Sequence, residues 1–162
     1  MKRRVIDHAP FDPPPGQAHP KGPNGKNLCR WCGTEVSGRR ISWCSDACVE
    51  EYMIRKSPGF ARSQVRKRDK GVCSACGVDT YRLRRAFRSL RCVSPSYACP
   101  GCLACVVKRL WRDLTVWDAD HIVPVEHGGG CCGLENYQTL CRRCHKRKTK
   151  LQAKLRASNR TR

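Results

Sequence analysis

Apolar residues come in short runs, each closed by glycine, proline or a cluster of charge, so the chain predicts small elements with irregular connections. Residues 1–28 hold Asp12-Pro13-Pro14-Pro15-Gly16 and Lys21-Gly22-Pro23-Asn24-Gly25, which cannot build a helix or strand interior; a disordered tail is expected there. The pattern over 34–43 fits a hairpin turning at Ser37-Gly38, and Cys44-Ser45-Asp46 opens a helix with Ser45 or Asp46 as its N-cap. Pro58-Gly59 breaks that helix, and a second short one is expected over 60–69, stopping at Gly71. Residues 81–90 read as a helix carrying Arg82, Arg84, Arg85 and Arg88. Residues 91–105 are irregular, and 106–111 have no decisive pattern. A strand rich in valine and isoleucine follows over 116–125, interrupted by Pro124. Gly128-Gly129-Gly130 is a loop, 134–140 a short return strand, and the chain from Cys141 a helix ending in a basic tail. The fold class that follows is small α+β.

Eleven aromatic residues leave little material for a large apolar core. The fourteen cysteines supply another source of stability. They come as close pairs, Cys29/Cys32, Cys73/Cys76, Cys99/Cys102, Cys102/Cys105 and Cys141/Cys144. Cysteines at this spacing are poor disulfide partners for each other, and their short loop aims both thiolates at one tetrahedral ion. Zinc bound this way contributes folding free energy directly. Cys29, Cys32, Cys44 and Cys48 form one such set, and with every position a cysteine no coordination site stays open for chemistry, so the zinc is structural. Cysteine knuckle, hairpin, then helix with a second cysteine pair is the order of a treble-clef finger. It occurs twice, so two metal-stabilised treble-clef units are expected, the second with a long insertion before its hairpin. The limits are 1–28 for the tail, 29–56 for the first finger, 57–71 for a basic helical connector, 72–156 for the larger unit with its insertion at 91–105, and 157–162 for a basic tail.

The formal net charge of +20 and the pI of about 9.9 point to a polyanionic partner, since neutralising phosphates releases condensed counterions. DNA, gripped mainly through its backbone, is the expected partner. Arg66, Lys67 and Arg68 in the connector and Arg142, Arg143, Lys146, Arg147 and Lys148 near the end of the chain are assigned to it. No apolar run is long enough to span a bilayer and no secretory segment follows Met1. An intracellular, DNA-associated protein (cytoplasm or nucleoid if bacterial or phage) is therefore expected, with no membrane and no small-molecule substrate.

The stretch Trp117-Asp118-Ala119-Asp120-His121-Ile122-Val123-Pro124, the glycine run, and Glu135-Asn136-Tyr137-Gln138-Thr139-Leu140-Cys141-Arg142-Arg143-Cys144-His145-Lys146 resembles an HNH nuclease. The likeness is to the HNH domain of annealing helicases of the chromatin-remodeller class and to bacterial and phage relatives; it covers about 73–150 with a gap at the insertion. It implies a ββα-metal site with one divalent cation, Mg²⁺ or another, between a hairpin and a helix. His121 matches the general base, Asp120 and His145 the ligands of that cation. Asn136 matches the middle asparagine, counted with His121 as catalytic, which in relatives pins the hairpin loop or ligates the metal. The chemistry agrees: imidazole titrates near neutrality and can activate water, and a cation stabilises charge on the phosphate. Cys141 and Cys144 with Cys73 and Cys76 complete a second zinc site, for at least two structural zinc ions in all. This site would clamp the helix bearing His145.

Residues 113–141 contain no lysine or arginine but hold Asp113, Asp118, Asp120, Glu126 and Glu135, whereas 141–162 carry ten basic residues and no acid. An acidic patch in a basic surface suits a dication beneath a DNA backbone. The run Cys141-Arg142-Arg143-Cys144-His145 also fits c-type haem attachment, which leaves Asp120, His121 and Asn136 unexplained and is rejected. A redox role for Cys99-Pro100-Gly101-Cys102 lacks its βαβ context. Cys92, Cys99, Cys102 and Cys105, with Cys131 or Cys132 as substitutes, could bind a third zinc or stay as thiols. The reading is a metal-dependent DNA endonuclease, dimeric if it cuts both strands. The rival is a non-catalytic zinc-finger DNA-binding protein on a degenerate HNH scaffold.

Overall fold

The computed structural model describes residues 17–90 and 102–160. The chain divides into two compact units, one taking residues up to Gln64 together with Val123–Asn136, the other Val65–Ile122 and Tyr137–Arg162.

In the first unit, order begins before the knuckle. The amide of Leu28 donates to the Pro20 carbonyl, Lys21 pairs with Asn27, and Leu28 pairs with Glu35. The disorder expected for 1–28 therefore does not hold for 17–28: Glu35 fixes the proline-glycine turn by accepting from the backbone and side-chain amides of Asn24 at 2.7 Å. The hairpin expected over 34–43 is also corrected. The chain turns at Gly38, but the pairing runs to the knuckle, with the Arg30 amide donating to Ser42 and the Asn27 side chain to Ile41. Helix α1, Asp46–Lys56, starts at Ser45, whose hydroxyl accepts from the Cys48 amide. Ile54 and Cys29 are buried, and the Arg55 guanidinium lies 4.4 Å from the centre of the Trp31 ring. Helix α2, Pro58–Asp69, begins two residues earlier than expected, because proline suits the first turn of a helix.

The second unit holds α3, Thr80–Ser89, whose N-cap Asp79 accepts from the amides of Tyr81 and Arg82. Residues 91–101 lie outside the described residues. The undecided stretch 106–111 falls in helix α4, Leu103–Trp111. Two antiparallel strands follow, β1, Trp117–His121, and β2, Tyr137–Cys141, in the register Trp117 with Cys141 and Asp120 with Gln138. Both are shorter than expected. The chain leaves the strand after His121, ahead of Pro124, and residues 134–136 form a 3₁₀ turn. Helix α5, Arg142–Arg160, packs on both strands and runs through much of the expected tail at 157–162. The buried core is small: Cys73, Leu114, Leu140, Cys141 and Cys144, with Val78 and Leu83 against it. Three of its five buried members are cysteines, so metal ligation and packing share one place.

Candidate active site

Two sets of cysteines converge. In Cys29, Cys32, Cys44 and Cys48, and again in Cys73, Cys76, Cys141 and Cys144, the sulfurs lie within 4.8 Å of one another, an arrangement that could hold a metal ion. The thiol chemistry fits such an ion. The Thr34 hydroxyl and backbone amide pull Cys32 down to about 6, so it is a ready thiolate at neutral pH. Cys44 is pushed up to about 12 by its hydrogen bonds with the Cys48 and Cys32 sulfurs. In the second set burial opposes the Cys73 thiolate, but backbone groups of Cys141, Ala75 and Cys76 outweigh it and bring it to about 7. Cys144 is pushed up to about 12 by burial and by the Cys141 and Cys76 sulfurs. Four thiols this close cannot all ionise unaided, and a dication relieves that conflict. Cys92 and Cys99 of the candidate third set lie outside the described residues; Cys102 and Cys105 sit at the start of α4.

The second set holds α5 to the rest of its unit, and α5 presents His145 to β1. Asp118 and Asp120 are two residues apart on a strand, so they share a face. The His145 ring lies between them, Nδ1 3.4 Å from Asp118 Oδ2 and Nε2 3.6 Å from Asp120 Oδ1. Asp120 Oδ2 also accepts from Gln138 Nε2 at 3.2 Å and from the Lys148 ammonium, which bonds the His121 carbonyl as well. His121, at the end of β1, stacks on Tyr137 with ring centres 4.5 Å apart. Its Nε2 is buried and has no hydrogen-bond partner among the described residues. Burial lowers the imidazole's pKa, and the Lys148 charge lowers it further while Asp120 opposes both, so the neutral base form is favoured.

Asn136 belongs to the other unit, and its side chain is committed to its own loop. Oδ1 accepts from the Val123 amide at 2.8 Å, and Nδ2 donates to the carbonyls of Gly129 at 3.0 Å and Val123 at 3.2 Å. A side chain at Gly129 would collide with the Val123 carbonyl and the Asn136 amide, which is why glycine is required there. Of the two roles open to Asn136, this geometry is that of the loop pin. The basic residues also divide. Lys148 sits at Asp120, and Lys146 pairs with Asp113 at 2.6 Å. Arg68 holds Asp69 and the Tyr137 carbonyl, so it braces the sheet. Lys67, Arg143 and Arg147 are exposed, Arg142 is half-buried, and Arg66 lies over the Tyr81 ring.

Three residues of the site escaped the sequence reading as ligands or neighbours of ligands. Asp118 had a signal, the two-residue spacing to Asp120. Lys148 had one in its three-residue spacing to His145 on a helix. Gln138 had none, because only the strand register brings it to Asp120.

Residues 99–151 match the family model described as HNH endonuclease. The chain carries an HNH domain. The HNH stretch thus takes in α4, both strands and the first half of α5. The chain is 38% identical over 140 residues to the mouse protein "DNA annealing helicase and endonuclease ZRANB3" and 35% identical over 141 residues to its human counterpart, in each case over 78% of this chain. The chain spans 13% of the length of these relatives. No solved structure matches it. Among the described residues no helix is long and apolar enough to cross a membrane.

Proposed function

We propose that the HNH domain hydrolyses phosphodiester bonds in DNA, with His121 as general base and a divalent cation held by Asp120 and His145. The observation that carries this reading is the His145 ring set between two carboxylates. Asp118 on Nδ1 fixes the ring and favours the tautomer with its proton there, leaving the Nε2 lone pair directed to Asp120. An imidazole nitrogen beside a carboxylate oxygen is a donor set for Mg²⁺, Mn²⁺ or Zn²⁺. Such an ion, when bound, stabilises charge on the phosphate and leaving oxygen. His121, kept neutral by burial, takes the proton of the attacking water through Nδ1, since Nε2 is enclosed. The two cysteine sets are read as structural zinc sites and the domain limits as 29–56, 57–71 and 72–156. The names of the relatives support DNA as the partner; an intracellular, DNA-associated setting is read with it, and dimerisation is expected only for double-strand cutting.

One contact favours the second reading, a DNA-binding scaffold without catalysis. The Lys148 ammonium rests on Asp120, where it neutralises the carboxylate that should hold the ion. Supercoiled plasmid incubated with the pure protein and Mg²⁺, Mn²⁺ or Zn²⁺ decides between them. The nuclease reading expects ion-dependent nicking abolished by EDTA. Binding without nicking, in wild type and in Lys148→Ala alike, establishes the scaffold reading.

A further inference from the structure

The second unit has a concave basic surface that the catalytic reading does not use. Arg66, Tyr81, Arg84, Arg85 and Arg88 line a cavity of about 490 Å³. On α3 the spacing 81, 84, 85, 88 puts four of these on one helical face. Tyr81 is the fixed point of the groove. Its hydroxyl accepts from Trp117 Nε1 at 2.9 Å, its ring edge-packs on Trp117, and the Arg66 guanidinium lies 5.3 Å from the ring centre. The ring also passes so near Gly71 that any side chain there would strike it at 2.4 Å. The groove is thus built against the first residue of β1, the strand that carries Asp118, Asp120 and His121.

Among the described residues, no carboxylate pairs with the arginines of this groove. No acid lies on α3, whose N-cap Asp79 spends its side chain on the helix amides. The nearby Asp69 carboxylate is taken by Arg68 and Thr139. Four guanidinium groups therefore face one cavity without a carboxylate among its lining residues. Guanidinium groups bind phosphate oxygens in pairs through parallel N–H bonds, a geometry lysine cannot offer. From Arg84 to Arg88 the helix advances about 6 Å, enough for its guanidinium groups to reach more than one phosphate of a strand.

We propose that this groove binds the sugar–phosphate backbone of one DNA strand and so holds the substrate beside the HNH site. The proposal rests on the DNA reading above and names a second contact surface for it. Arg82 is the internal control, since it is exposed on the same helix and does not line the groove.

The test is binding of fluorescein-labelled DNA to the full zinc-loaded chain, followed by anisotropy across a range of salt concentrations. Arg84→Ala and Arg88→Ala should each reduce the slope of log affinity against log salt by about 0.9, or about threefold in affinity change between about 50 and 200 mM salt. Arg82→Ala should leave the slope near wild type. Arg84→Gln and Arg88→Gln, which retain most of the side-chain length, keep the test open should an alanine variant lose zinc or its circular-dichroism spectrum. An unchanged slope in folded groove variants, or an equal loss in Arg82→Ala, overturns the groove. Equal losses for polyglutamate and for DNA would show a general anion patch and overturn it too. The nuclease reading fails separately, by wild-type binding without cleavage, and a wild-type chain that binds no DNA overturns both.

Discussion

The two four-cysteine clusters use the same ligands and do different work for the chain around them. The first, Cys29, Cys32, Cys44 and Cys48, ties a knuckle to α1, and the surrounding side chains serve packing: Arg55 on Trp31, Trp43 against Tyr52 with ring centres 4.6 Å apart. The second, Cys73, Cys76, Cys141 and Cys144, ties a knuckle to the end of β2 and the start of α5. There the next residue after the last cysteine is His145, whose ring meets Asp118 and Asp120. A closed metal site does no chemistry itself, yet it sets the position of whatever stands one residue beyond it. The contrast teaches that the consequence of a four-cysteine cluster is read from its flanking residues, not from its ligands.

The sharpest way to break this comparison is to remove one ligand from each cluster. Structural zinc supplies about 10 kcal/mol or more of folding free energy in small zinc peptides, so either loss should undo its own neighbourhood. Cys141→Ser is expected to lose one zinc and all measurable cleavage, because the start of α5 is no longer held. Cys48→Ser is expected to lose the other zinc and keep cleavage within about tenfold, the scale of an indirect effect on a site. Metal content and plasmid nicking measured on both variants check this, and equal loss of cleavage would remove the distinction between the clusters.

Next in size is His121→Ala, which should lower the cleavage rate by about 10²–10⁴-fold, the usual contribution of a general base, with zinc content and DNA affinity kept. A wild-type rate would leave the second cluster holding no active site. Asp118→Asn should act more gently, through the His145 ring. It should weaken the divalent ion by about 10–100-fold, seen as a raised half-saturating Mn²⁺ concentration, with most of the rate restored at high Mn²⁺. A loss that Mn²⁺ cannot restore would give Asp118 a direct part in the chemistry.

The smallest effect concerns how the connector braces the second region. Asp69 accepts from the Thr139 hydroxyl at 2.8 Å and pairs with Arg68, which holds the Tyr137 carbonyl. The Arg68 hydrogen bonds hold the Asp69 carboxyl below its ordinary value of 3.8. A lowered folded-state pKa gives stability that is complete above the ordinary value and is lost as pH falls through the folded one. Asp69→Asn should therefore cost about 1–3 kcal/mol at neutral pH, and the gap from wild type should close below about pH 4. Urea unfolding at pH 7 and at pH 3 measures it; a gap that persists at low pH would assign the cost to packing.

Sequence alone determined the parts whose chemistry is local. The pairing of Cys29 with Cys32, Cys73 with Cys76 and Cys141 with Cys144 across two intervening residues, the Ser45 cap, the stop at Gly71, and the order strand, glycine loop, strand, helix all follow from neighbours along the chain, and the folded protein has them. The HNH motif was legible for the same reason, since its residues lie in order within one continuous stretch. Tertiary structure decided what depends on register and docking. Pairing Asp120 with Gln138, placing His145 between two carboxylates, turning Lys148 inward from a basic helix, and spending Asn136 on the Val123 and Gly129 backbone each need two segments brought to a fixed offset. Periodicity says which face a residue takes, not which residue meets it across an element boundary. That is why the bracing contact of Arg68 with the Tyr137 carbonyl was not legible in the sequence, and why Arg84, Arg85 and Arg88 gain a common cavity only when α3 is docked through Tyr81 on Trp117.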